Sequence, residues 1–149
     1  MICARAPHLP TAFLAWHLWL EPIMTVGGAW LLYTSPELYM KFMPPWTRCA
    51  PSPRIVHVQL ASTYLFLAIT EILVLRATCD LLVWKSLIFG LLVCDVGHFV
   101  ALLAGFSVSS PWLFRWEGIT TMSISVLALV MRLSFFLGIG FNVDPSKCK

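Results

Sequence analysis

Ionisable side chains interrupt stretches of this sequence that are otherwise built from Leu, Ile, Val, Phe and Trp. His17, Glu21 and Thr25 follow one another at spacings of four, so on a helix they share a face. Tyr64 and Glu71 are seven apart and share another, with Gln59, Thr63 and Thr70 as a neighbouring stripe. Asp95 and His98 are three apart and face together, and Thr121, Ser125 and Arg132 form a further stripe. An ionised group at mid-helix in hydrocarbon costs at least ~2.5–3.5 kcal/mol, and such groups mark function. A carboxylate beside an imidazole can relay a proton or orient the ring. The three carboxyls Glu21, Glu71 and Asp95 face one permanent cation, Arg132. They cannot all be ionised cheaply, so at least one should keep a proton near neutral pH and serve as a general acid. A carboxylate held by Arg132 would stay charged, and carboxyls driven apart in this way divide acid and base roles. The catalytic candidates are therefore Glu71, Asp95, His98 and Glu21. Arg132, Tyr64 and His17 are candidates for binding or charge balance.

Each group also has a structural reading. Pro22 would bend the helix beside Glu21. Glu71 could snorkel toward Arg76 at the membrane surface. Asp95 and His98 could form a plain hydrogen bond, and as metal ligands two are too few to indicate a site. Arg132 could simply pair with Glu21 or Asp95.

The elements that must carry these residues are membrane helices. The 149 residues are 59% hydrophobic and 11% charged, with mean hydropathy +0.83. A soluble domain carries about 25% charge, and one of this size could not hide so much apolar surface. Four apolar segments are legible, about 11–33, 55–75, 81–104 and 118–141, each long enough for a ~30 Å hydrocarbon core. The expectation is an all-α, integral membrane four-helix bundle forming a single transmembrane domain over 1–149. Barrel strands would alternate in polarity, and these segments do not. Between the spans lie a short amphipathic piece, Glu37–Met43, a Pro-rich loop from Pro44 to Pro53, and a loop from Gly105 to Glu117. Trp46, Trp84, Trp112 and Trp116 fall near the expected interfaces, as an aromatic belt would. In an up-down-up-down arrangement Glu21, Asp95 and Arg132 land near the midplane, so the ionisable groups could line one cavity.

Other classes are disfavoured. A net charge of +3 without a basic run or a Gly-rich phosphate loop gives nucleic acid no footprint. Cys3, Cys49, Cys79, Cys94 and Cys148 are widely spaced and read as packing residues rather than a zinc site or disulfide framework. The stretch Thr11–Tyr33 has the length of a span, not of a signal core. Basic residues divide five to four between the two sides, a margin that only leans toward both termini in the cytosol.

A set of segments carries a resemblance: Leu20-Glu21-Pro22 with Gly27-Gly28, Gln59-Leu60-Ala61 through Glu71 to Arg76, Asp80 with Trp84, Gly90-Leu91-Leu92 with Asp95, Gly97 and His98, and Met131-Arg132-Leu133 with Leu137-Gly138. Over Leu20 to Gly140 the chain resembles a family of small four-helix membrane proteins of filamentous fungi. Some members sit in secondary-metabolite gene clusters, associated with epoxide opening and cyclisation of polyketides or terpenoids. The architecture is also similar to emopamil-binding and sigma-receptor-like proteins, where intramembrane acids serve sterol isomerisation or amine binding. The resemblance points to Glu21, Glu71, Asp95, His98 and Arg132, and the segment Pro111–Glu117 departs from its pattern.

The resulting expectation is a multi-pass enzyme of the endoplasmic reticulum membrane acting on a lipophilic small molecule without cofactor or metal. It would be an epoxide hydrolase, or a cyclase or isomerase. The alternatives are a non-catalytic lipid or sterol binder, and a structural subunit. Gly27-Gly28, Gly90, Gly97, Gly138 and Gly140 would allow close helix contact within the chain or in a homo-oligomer. Four helices without an internal repeat offer little to a transporter.

Overall fold

The structure, a computed structural model, describes residues 9–45, 54–103 and 111–141. Trp46, the loop around Pro51 and Pro53, Ser109-Ser110 and both chain ends lie outside the described residues. Three helices, α4 (Arg54–Ala77), α5 (Leu81–Leu103) and α6 (Trp116–Phe136), are long and apolar enough to cross a membrane. The 23 residues of α5 cover about 35 Å. No more than 22% of the apolar stretch of any of them is buried in the protein. The uncovered side chains include Phe66, Leu73, Leu82, Phe89 and Val130, a surface suited to lipid and not to water. The chain is thus an all-α, multi-pass membrane protein.

The N-terminal segment is helical without a break from Thr11 to Thr34, but in three pieces: α1 (Thr11–Ala15), a wide π turn (Trp16–Leu20) and α2 (Glu21–Thr34). The bend expected at Pro22 takes this form. Pro22 has no N–H for the carbonyl four residues back and its ring crowds that carbonyl. The π turn absorbs the mismatch. The Leu18 carbonyl instead accepts from Arg76 Nη2 at 3.1 Å, and the Arg76 guanidinium lies 4.5 Å from the Trp19 ring centre. Arg76 is therefore engaged with the first helix and does not draw Glu71 to the surface.

Short signals close the other helices. A small helix, α3 (Pro36–Phe42), follows Ser35. Asp80 caps α5, its Oδ1 accepting from the Leu82 N–H at 2.8 Å. The expected fourth span, 118–141, is shorter at its end, because α6 stops at Phe136. Gly138 takes φ +67, and the N–H groups of Gly138 and Ile139 return to the carbonyls of Phe135 and Ser134, both at 3.1 Å. Gly138 and Gly140 (φ +78) thus turn the chain, and Gly140 also lies close against Pro10 at the start of the first helix. Gly27, Gly90 and Gly97 meet nothing within 4 Å, whereas Gly28 lies against the Tyr64 ring. At Gly118 a Cβ would collide with the Trp112 carbonyl oxygen, so only glycine fits.

Packing gathers two apolar cores. One joins Phe13, Leu75, Trp84, Ile88 and Phe135, that is, the start of the first segment, the end of α4, the start of α5 and the end of α6. The other joins Ala29, Leu32, Tyr39 and Ala61, from the end of α2, α3 and the start of α4. Successive long segments therefore run in alternating directions, with α2 lying along α4 and α5 along α6. Two expected belt residues are interior instead. Trp84 stacks on Phe135 and donates from Nε1 to the Thr78 carbonyl at 3.2 Å, and Trp112 is buried against Gly118. Trp116 is exposed, as a belt requires. Cys79 is disulfide-bonded rather than a free packing thiol.

Candidate functional site: a buried ionic relay beside a cavity

Between the two cores, five ionisable side chains from all the long segments form one connected series. His17 opens it from the π turn, fully buried. Its Nδ1 lies 2.9 Å from Glu71 Oε1 on α4 and 3.0 Å from Glu21 Oε2 on α2. Glu21 Oε1 accepts from Arg132 Nη2 on α6, and Arg132 Nη1 pairs with Asp95 Oδ2 on α5. The order is thus Glu71, His17, Glu21, Arg132, Asp95. Arg132 meets both carboxylates that the sequence offered it. The Glu21–Arg132 contact also ties the α2/α4 pair to the α5/α6 pair.

Hydrocarbon imposes a charge balance on this series. Arg132 is always cationic, and its two terminal nitrogens face Glu21 and Asp95. Glu71 has only His17 as an ion-pair partner among the described residues. A neutral cluster needs two further protons, and the His17–Glu71 pair is where Arg132 does not oppose them. His17 Nδ1 carries at most one hydrogen and faces two acceptors, so it serves one oxygen at a time. The opposite ring nitrogen, Nε2, is buried without a partner among the described residues. The His17 ring as a whole stands roughly perpendicular to Phe135.

A cavity of about 240 Å³ opens beside the series, lined by Glu21, Glu71, Asp95, Arg132, His98 and Tyr64 among others. Asp95 is the most accessible of its acids, its side chain 25% exposed against 2% for Glu71. The site residues expected from the sequence therefore converge, with two refinements. His17 lies behind Glu71 and Glu21 rather than on the cavity wall. Asp95 and His98 share the wall, but no hydrogen bond joins them among the described residues, because Arg132 holds Asp95. The stripe below Arg132 is used structurally: Thr121 Oγ1 donates to the Phe42 carbonyl at 2.9 Å. The ligand atoms of His17, Glu21 and Glu71 lie within 4.8 Å of one another and could hold a metal ion in place of the protons they share.

Two residues were not anticipated. Tyr39 on α3 bonds its hydroxyl to that of Tyr64 at 2.7 Å. Burial, reinforced by the Tyr64 hydroxyl, pushes the Tyr39 phenol up, so it keeps its proton. His57 stands seven residues before Tyr64, at the spacing that also relates Tyr64 to Glu71. That repeat was the available signal.

The fold and the site thus define a multi-pass helical membrane protein with a buried ionic cluster beside a cavity. The chain belongs to the family described as a domain of unknown function, DUF7704, which matches residues 6–142. No curated protein and no solved structure matches the chain.

Proposed function

We propose that this protein is a membrane-embedded enzyme that transforms a lipophilic polyketide or terpenoid by acid–base chemistry, opening an epoxide or driving a cyclisation or isomerisation. The broken segment Thr11–Thr34 acts as a fourth crossing and completes a four-helix bundle. The resemblance to small fungal membrane proteins supplies the setting, secondary metabolism at the endoplasmic reticulum.

The observation that carries the reading is that Glu71 and Asp95 face one cavity from opposite ends of a charge series. Glu71 is the proton donor, backed by His17. Asp95 is the base, kept ionised by Arg132. In epoxide opening, Glu71 gives its proton to the ring oxygen as a C–O bond breaks. Water attacks the carbon and loses a proton to Asp95, and the product is a diol. In cyclisation, Glu71 protonates the epoxide oxygen or an alkene carbon, and Asp95 takes the proton released when the cation collapses. Either way one proton enters from Glu71 and one leaves to Asp95, and exchange with water restores both. His98, on the same wall, positions the attacking water. Glu21 and His17 hold the donor and its proton in place.

Purified protein in lipid nanodiscs, supplied with lipophilic epoxides and polyenes, tests this by mass spectrometry. Wild type should yield a product that has gained water or isomerised. Glu71→Gln and Asp95→Asn should each lower turnover about 10²-fold or more at equal protein level, as loss of a general acid or base does. Turnover unchanged in both variants would refute the assignment. A non-catalytic lipid or sterol binder is favoured by one observation, that Arg132 already occupies two of the three acids. It is separated by the same experiment, since a binder retains ligand and forms no product.

A further inference from the structure

A second cavity, of about 270 Å³, adjoins the first, and Tyr64 and His98 line both. They form the partition between a charged chamber and an apolar one. Beyond it the walls are mainly apolar, with Leu32, Met40, Leu60 and Leu102 among them. The exception at its far end is His57, near the start of α4. Its Nε2 is shielded from solvent and has no hydrogen-bond partner among the described residues. A buried polar atom without a partner calls for an explanation, and a ligand that supplies one is the simplest.

Helix geometry puts a length on the arrangement. His57, Tyr64 and Glu71 recur every seven residues, close to two turns, so they stand in one line along α4. Fourteen residues at 1.5 Å place His57 about 21 Å from Glu71 along the axis. Across from them, Leu91, Asp95, His98 and Leu102 recur at spacings of three and four on one face of α5. The two stripes flank the two adjoining cavities, which are acidic at one end, apolar in the middle and bounded at the other by an imidazole with no hydrogen-bond partner at Nε2 among the described residues.

Building on the acid–base reading of the first chamber, we propose that the second chamber binds the unreactive arm of the same substrate. That substrate is an elongated lipophilic molecule carrying a hydroxyl on the order of 20 Å from its reacting group, where the hydroxyl bonds His57 Nε2. A hydroxyl fits because it donates and accepts, and so meets the imidazole nitrogen in either tautomer. Tyr64 and His98 then read where the reactive end begins.

The test is photolabelling of the full chain in phosphatidylcholine nanodiscs. Two matched probes are used, each a long-chain epoxide with a diazirine on its arm, one ending in a hydroxyl and the other in a methyl. The hydroxyl probe should label α4 between His57 and Tyr64, and α5 at Ala101–Leu102, at about tenfold lower concentration than the methyl probe, as one buried hydrogen bond would confer. His57→Leu should erase that difference, and His57→Gln, which keeps a hydrogen-bonding group, should retain it. Equal labelling by both probes in wild type would overturn the proposal. So would a preference that survives His57→Leu, or displacement by ergosterol as efficient as by unlabelled hydroxy epoxide, which would make the chamber a sterol site. Labelling needs no turnover, so the two readings fail separately. His57-dependent labelling without product removes the enzyme and leaves the chamber, while product with probe-independent labelling does the reverse.

Discussion

The two ends of this helical assembly are built on different plans. Where α4 hands over to α5, the interior is a plug of rings. Phe13 meets Phe135 edge-on at 5.6 Å, Phe135 meets Phe141 at 5.3 Å, and Trp84 stacks on Phe135. Ile88 and Phe135 have no exposed surface at all. At the opposite end the core is made of Ala29, Ala61, Leu32 and Tyr39, and beside it lies the second cavity. The ionic relay sits between them. Large rings fill space and seal one approach to the relay, while small residues and a tyrosine pair leave the other approach hollow. The difference leaves the hollow end and the space between the helix pairs as the approaches by which ligand or water reaches Glu71 and Asp95.

The largest effect on this arrangement should come from the residue that serves neither end but joins the halves. Arg132→Met leaves Glu21 and Asp95 without the guanidinium that lies between them, with only His17 beside Glu21. Removing one partner of such a cluster costs about 3–5 kcal/mol. The variant should accumulate poorly in membranes and unfold at much lower temperature in detergent. Adding Glu21→Gln and Asp95→Asn to it should recover most of the loss, since the cost lies in the stranded charges. A triple variant as unstable as the single one would mean that Arg132 acts through packing instead.

Next comes the plug. Phe135→Ala empties the centre of the ring cluster and should cost about 3 kcal/mol, in the range for large-to-small changes at well-packed sites. Its second effect is diagnostic of the comparison. A breach of the seal should let a water-soluble thiol reagent reach the relay from the plugged side. Cys94, free, on the wall of the first cavity and already exposed, is the reporter, with its wild-type rate as the baseline. Faster Cys94 modification in Phe135→Ala supports the seal, and an unchanged rate in a destabilised variant argues against it.

Much of this organisation is legible in the sequence, and the reasons are physical. Membrane helices announce themselves by length and apolarity, and three of the expected segments return within a few residues of their bounds. The convergence of Glu21, Asp95 and Arg132 follows from counting residues from each span's end. What could not be read is rotation. The spacing of four places His17 beside Glu21, as found, but no spacing rule predicts that the same imidazole also meets Glu71 on another helix. Asp95 could be offered both to His98 on its own helix face and to Arg132 on another helix, and the spacing alone does not say that Arg132 takes it, together with Glu21. Trp84 and Trp112 sit at segment ends, as belt residues do, and nothing in a one-dimensional pattern says that Phe135 and Gly118 draw them inward. The second chamber was visible only as a repeat of seven through His57, Tyr64 and Glu71, and a repeat by itself does not specify a hollow.

The smallest predicted effect sharpens the hollow end. Tyr39→Phe removes one hydroxyl from the 2.7 Å pair with Tyr64 and leaves the ring packing in place. The expected loss is about 0.5–1.5 kcal/mol, the net worth of a single hydrogen bond. Its pH dependence has a definite sign. Burial holds the Tyr39 proton on in the folded protein, with Tyr64 alongside, whereas the unfolded chain releases it above about pH 10. Beyond that point the unfolded state binds fewer protons than the folded one, so stability falls as pH rises. Wild type should therefore lose melting temperature between about pH 7.5 and about pH 11, and Tyr39→Phe should lose less of it over the same interval. Equal slopes in the two proteins would mean that Tyr39 ionises freely, and hence that the tyrosine pair is open to water rather than part of the wall that gives the hollow end its shape.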